Sequence, residues 1–297
     1  MYINFGLQHQ NTGMKQMPTT TSGFRMGSST SDLDVFEYDW SVTRKHKRLF
    51  TTIVSEPAFS GLLLANGLIG RKKPKVKFHS KWFYDSTFGN DKIDVHQTGA
   101  MLYKLNDTDY FLELQNWRPF NIHDPSADWL STYPLISAIC KWLHFNNFTE
   151  VISLSSSVIH HFLDSDKYLH YPPEELYVRS ANTASFTETP AKPTNKEQRL
   201  MLSPPHYLFP QIWADFKPTG KALNVVAGSD GLDSIDETAC DTLCEWLTKN
   251  YKIKISKTSI DKTLKEIKTE MEKSSDAISE TLITNKGNPT NNGVMYG

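Results

Sequence analysis

The sequence predicts an α/β domain: a central mixed sheet flanked by helices. Two observations carry that prediction. Short β-branched or wholly apolar runs, too short to be helices, alternate with longer stretches whose apolar residues recur at helical spacing. The order helix-then-strand, and later strand, tight turn and helix, also recurs at the length of an α/β unit, which calls for parallel strands.

The elements follow in order. Phe36, Tyr38 and Trp40 alternate with polar residues, as in an edge strand or a segment docked on the body. The basic run Arg44 to Arg48 reads as a solvated linker in preference to a phosphate-binding or nuclear-localisation patch. Leu49 to Val54 is a compact β-branched strand closed by Glu56-Pro57, and Leu62 to Ile69 is apolar enough for a buried helix. Val76 and Phe78, then Met101, Tyr103 and Leu105, alternate with polar neighbours, and Tyr110 to Leu114 is a further strand, so the middle is β-rich.

Ser126 to His144 is a helix announced by Asp124-Pro125-Ser126, with Trp129, Tyr133, Ile136, Ile139, Cys140 and Leu143 on its apolar stripe. Pro134 inside it predicts a kink or a later start. Val151 to Leu154 is a short buried strand, and the Ser/Thr/Pro/Lys-rich residues 180–200 read as a loop or lid. Ala222 to Ala227 is the last buried strand, Gly228 to Gly231 turns the chain, and Ser234 with Glu237 forms a capping-box pattern. The helix that follows places Ile235, Ala239, Leu243, Trp246 and Leu247 on one face. Ile260, Leu264, Ile267, Met271, Ile278 and Leu282 then make one narrow stripe on a long charged helix. That stripe either covers the chain's own core, the favoured reading, or meets a partner as a coiled-coil adaptor would.

Four segments result. Residues 1–44 form a disordered or extended N-terminal arm, 45–256 the α/β body, 257–284 the charged amphipathic helix and 285–297 a flexible tail. Over 297 residues, 32 basic and 33 acidic side chains leave a net charge of −1, which argues against nucleic-acid binding. Three cysteines are too few for a disulfide framework, no run approaches a membrane span, and the first residues lack a signal peptide's basic start and apolar stretch. The expectation is a soluble protein of a reducing compartment.

Candidate chemistry is weak at each position. Cys240 and Cys244 stand at i and i+4 and could share a metal, but no CxxC or HxxxH completes a ligand set, so both read as small core residues and no metal is expected. His160-His161 follows a strand at the end where α/β folds bind ligands, yet adjacent strand residues point opposite ways. Ser155 to Ser157 lacks the glycines of a phosphate loop, and Asp164, Asp166, Glu174 and Glu175 have no partner spacing. No nucleophile elbow, P-loop or metalloprotease helix occurs. No catalytic residue and no cofactor is assigned.

The strongest functional signal is Met295-Tyr296-Gly297. Read as a free C-terminus, it offers an apolar wedge, an amphipathic ring and a fixed carboxylate at the end of an unpackable tether, Asn285 to Gly293. Capture of a C-terminal carboxylate is a recurring recognition mode. About 1.5% of random chains of this composition would end so, which makes the motif weak evidence by itself.

Several pieces together resemble the PAC2-type proteasome assembly chaperones. Leu49–Val54 with Leu62–Ile69 resembles that family's first βα unit, and Ile139 to Ser157 its central helix and following strand. Asn224 to Gly231 with the Cys240–Leu247 helix resembles its final strand and helix, and Met295-Tyr296-Gly297 its hydrophobic–Tyr–any-residue tail. Among eukaryotic members, Tyr171-Pro-Pro-Glu174 and the N-terminal extension point to the first subunit over the second, while the helix over 258–283 departs from the pattern.

The resemblance implies a nucleoside-phosphorylase-like architecture and a non-catalytic chaperone. Such a protein would form a heterodimer with a related chaperone subunit and sit on the α-ring of the 20S proteasome. It would aid assembly of the α-subunits and block premature activator binding. Met295 and Tyr296 would wedge between α-subunits, and the Gly297 carboxylate would meet a pocket lysine. The location implied is cytoplasmic, with the nucleus as a second compartment, and neither nucleic acid nor membrane is a partner. The alternative is an enzyme of the same fold acting on a small polar ligand through Ser155–Ser157 or His160.

Overall fold

Ten strands form a single mixed sheet between two layers of helices in the computed structural model. Residues 24–26, 33–38, 40, 45–53, 60–89, 92–114, 125–157, 174–181, 192–193, 204–228 and 235–286 are described. Four parallel strands make the centre: β3 (Lys47–Ile53), β6 (Asp109–Leu114), β7 (Phe148–Ser157) and β10 (Lys221–Gly228). Each is rich in apolar residues and buried on both faces, as parallel sheets require.

The antiparallel flank is β1 (Phe24–Met26), β2 (Leu33–Tyr38), β4 (Val76–Gly89) and β5 (Lys92–Lys104), and the order across the sheet is β1-β2-β4-β5-β6-β3-β7-β10-β8-β9. β8 (Leu176–Ser180) pairs antiparallel with β10, and β9 (Lys192–Pro193) parallel with β8. The N-terminal arm is thus partly extended, with β1 and β2 continuing the sheet.

Alternation along the central strands sorts their side chains into two cores. Leu49, Val151 and Ala222 face α2 (Pro125–Phe145) and α3 (Pro204–Phe216), where Ile136, Ile139, Leu143, Phe209 and Trp213 are buried. Phe50, Ile152, Leu223 and Val225 face α1 (Ser60–Ile69), α4 (Glu237–Tyr251) and α5 (Lys257–Lys286). Each fully buried large apolar side chain contributes about 1.5–3 kcal/mol.

Two local readings change and a third is sharpened. The helix over α2 continues through Pro134 and is not delayed to it. The N-cap of α4 is Asp236, whose Oδ1 accepts from the Ala239 N–H at 2.8 Å, and Ser234 lies outside the described residues. The stripe on α5 covers the chain's own core along its first half: Ile260 and Ile267 are buried against the α1–α4 layer, and Leu264 and Met271 pack on it.

Candidate functional site

Met295, Tyr296 and Gly297 lie outside the described residues, so their immediate support is what the structure defines. That support is α5. Ser256 caps its start, its hydroxyl accepting from the Ser259 N–H at 3.3 Å. The Ser256 N–H donates to the Gly67 carbonyl at 2.9 Å, which locks the α4–α5 connection onto α1. The approach is too close for a side chain at residue 67, because a Cβ there would stand 2.8 Å from both Ile255 and Ile260. Lys268 then pairs with Glu237 in the first turn of α4 at 2.7 Å. The first half of α5 is therefore fixed to the body. The chain has eleven residues beyond Lys286, a reach of at most about 40 Å when fully extended.

Of the other sequence-predicted residues, the described ones do not form one site. Ser155 is buried within β7, and the Ser156 hydroxyl hydrogen-bonds that of Ser60 at 2.5 Å. His160, His161, Asp164 and Asp166 lie outside the described residues. Cys240 and Cys244 are buried in the α1–α4 core with sulfurs 4.0 Å apart. The mutual Sγ contact and burial push the Cys240 thiol far up, and burial does the same to Cys140, which leaves both unreactive as thiolates at neutral pH. Among the described residues, no three His, Cys, Asp or Glu side chains cluster as a metal site, and no helix is long and apolar enough to cross a membrane.

The densest polar arrangement was missed at the sequence level, and it overturns the linker reading of the basic run for its last two residues. Lys47 and Arg48 open β3. Arg48 Nε donates to Glu150 Oε2 at 2.7 Å and its Nη1 to Asp109 Oδ1 at 2.9 Å, while its guanidinium lies 4.3 Å from the centre of the Tyr251 ring. Burial opposes the charge. The hydrogen bond and charge of Glu150, then the charge of Asp109, outweigh it and raise the Arg48 pKa. Asn106 builds the turn that presents Asp109: its Oδ1 accepts from the Thr108 and Asp109 N–H groups, and its Nδ2 donates to Asp109 Oδ2 at 2.7 Å.

Arg48, Asn106, Asp109 and Tyr251 line an open polar cleft of about 660 Å³, together with Asp107, Thr108, Asn250 and Lys252. It lies at the N-terminal end of the parallel strands, whereas open α/β sheets bind ligands at the C-terminal ends. Its arginine is already engaged by two carboxylates, and no nucleophile stands beside a base. The arrangement fastens β3, β6, β7 and α4 together. On the opposite face of β3, Lys47 is buried under Trp40, its Nζ 4.8 Å from the Trp40 ring centre and donating to the Asn146 carbonyl at 2.9 Å.

No protein-family model and no curated protein sequence matches the chain. Solved structures do. A Pyrococcus furiosus protein, PbaB, described as an archaeal proteasome activator, superposes with a TM-score of 0.55 at 11% identity over 83% of this chain and 100% of its own. The same organism's PbaA, described as an archaeal homolog of proteasome-assembly chaperone, gives 0.50 at 13% over 86% and 97%. A Thermoplasma acidophilum protein of unknown function gives 0.52 at 11% over 82% and 93%. The chain shares their fold. At these identities the likeness speaks for architecture, and it agrees with the mixed sheet and flanking helices read from the sequence.

Proposed function

We propose that this chain is a non-catalytic chaperone of proteasome assembly, docking on the α-ring of the 20S particle through Met295, Tyr296 and Gly297. One conjunction carries the reading: a fold shared with structures described as a proteasome activator and a proteasome-assembly chaperone homolog, and a last triplet, Met295-Tyr296-Gly297, that as a free C-terminus supplies a hydrophobic residue, a tyrosine and a carboxylate. The first half of α5, fixed to the body, anchors the helix that leads to the tail, and the eleven residues beyond its end at Lys286 give reach without order being required.

In this reading the chain pairs with a related chaperone subunit and occupies the place of the first eukaryotic subunit, in the cytoplasm and nucleus. Two tails on one heterodimer raise the effective concentration of the second contact, so weak individual contacts give a tight, reversible cap. The cap favours α-subunit assembly and shields the ring face from activators.

The test is co-purification of α-subunits and α-ring precursors with the full chain, a chain lacking Met295–Gly297, and Tyr296→Ala. Recovery falls at least tenfold for both variants while their thermal unfolding matches the parent's. Equal recovery by all three sinks the proposal.

A further inference from the structure

The sheet face under α2 and α3 carries a buried polar row that the docking function does not use. Registers across the three central strands align Leu49, Val151 and Ala222, and two residues further on Thr51, Ser153 and Asn224. The first row is apolar. The second is polar and equally buried, with Thr51 2%, Ser153 1% and Asn224 3% exposed. Adjacent strands lie about 4.8 Å apart, so this row spans roughly 10 Å. It crosses the parallel strands near their middle.

Two of its atoms, Thr51 Oγ1 and Asn224 Oδ1, have no hydrogen-bond partner. A third orphan belongs to the helix covering the same face: Trp213 on α3 is fully buried and its Nε1–H is likewise unpartnered. A buried polar atom left so forfeits its hydration with nothing in return, and native proteins keep few of them. Three on one face of one layer call for a common explanation.

We infer that the face of the sheet beneath α3 is a built site for a small neutral guest that both donates and accepts hydrogen bonds. The donor and acceptor inventory sets that chemistry. Asn224 Oδ1 needs a donor, the Trp213 indole needs an acceptor, and the Thr51 hydroxyl takes either role. A carboxylate would satisfy the indole and leave Asn224 Oδ1 facing another acceptor. An amide or a hydroxyl compound fits all three, and water is the smallest molecule with the same chemistry.

The experiment uses the full chain and two readouts. Crystals are grown alone and soaked in acetamide or in acetate, its charged isostere, and unfolding is measured for the parent, Thr51→Val and Thr51→Val/Asn224→Leu. Density bonded to Thr51 Oγ1 and Asn224 Oδ1 is expected in the unsoaked crystal or with acetamide, and not from acetate. A site that stays filled without acetamide identifies water, and acetamide density identifies a ligand site. The sign of the stability change decides independently. A guest lost with its partners lowers the double variant's Tm by roughly 4–8 °C. If the face is dry, removing orphaned groups leaves Tm unchanged or raises it. A dry face in the crystal with an unchanged or raised Tm overturns the inference, as does acetate binding in place of acetamide. If the double variant does not fold, the single Thr51→Val supplies the same sign test.

Discussion

Lys47 and Arg48 are neighbours in sequence, yet they close the same rim of the sheet on its two sides by different physics. Arg48 points to the α4 side, where two carboxylates and the Tyr251 ring take up its charge. Lys47 points to the α2 side, where it has one carbonyl and the faces of two aromatic rings, 4.8 and 5.8 Å from its ammonium. The first is an ion network that staples strands together. The second is an aromatic plug enclosing a cation without a carboxylate among its hydrogen-bond partners. The comparison teaches that identical charge in adjacent positions carries no fixed structural meaning, because strand alternation sends each residue to a different layer.

The plug is expected to be worth more than the staple. Trp40 stands 5.1 Å from Trp142, 5.4 Å from Tyr110 and 6.4 Å from Phe148, and its indole donates to Asn146 Oδ1 at 2.8 Å. Trp40→Ala removes those contacts and uncovers Lys47 and the rings around it, which should cost roughly 3 kcal/mol in urea unfolding. A cost below about 1 kcal/mol would show that Trp40 merely rests on the box, and the comparison would collapse.

Arg48→Ala comes next. It leaves Asp109, nearly fully buried, without its cation, and Glu150 half-compensated. Breaking a wholly buried pair costs about 3–5 kcal/mol. Arg48 keeps a quarter of its side chain in solvent, so screening brings the expected loss to roughly 2 kcal/mol. Arg48→Lys should recover less than half of it, since a single ammonium cannot serve both carboxylates and stack on Tyr251. Full recovery would make the site a simple charge contact.

Asp236→Ala probes the same layer at a plain local contact. Losing the 2.8 Å bond to the Ala239 N–H should cost about 1 kcal/mol, measured by the same unfolding curves, with Asp236→Ser close to the parent. An effect of 2 kcal/mol or more would mean that Asp236 does more than cap α4.

What could be read in the sequence was whatever is periodic and local. Val151–Leu154 and Ala222–Ala227 announced central strands because burial on both faces leaves a run that is apolar save for Ser153 and Asn224. The Ile260–Met271 stripe announced a face, and the structure shows which layer it covers. The α3 helix was not anticipated. Pro204 and Pro205 are harmless in a first turn, but Pro210 sits in the interior and hides the Phe209, Ile212, Trp213 and Phe216 pattern. The Arg48 network was out of reach for another reason: its partners lie 61 and 102 residues away, and nothing local marks Asp109 or Glu150 as destined for β3's rim. Of the tail, the sequence offers the chemistry and the reach. The pocket proposed for it belongs to another molecule.

The smallest effect at neutral pH, and the sharpest on the comparison, is Lys47→Met. A thioether of similar length keeps the packing under Trp40 and removes a charge whose burial is unfavourable, so stability near pH 7 should change by less than about 1 kcal/mol. The difference appears with pH. Burial lowers the Lys47 pKa below its ordinary 10.5. Between the folded value and 10.5 the unfolded chain therefore holds the proton more firmly than the folded one, and stability contributed by this group rises with pH. Below the folded value both states are protonated and the penalty is present in full. The parent should gain on Lys47→Met as pH climbs toward 10.5, and subtracting the two curves cancels Lys72, Lys221 and the tyrosines, which titrate in both proteins. Parallel curves would mean that Trp40 and Phe148 stabilise the ammonium as well as water does, making the plug as good a home for a cation as the two carboxylates across the sheet.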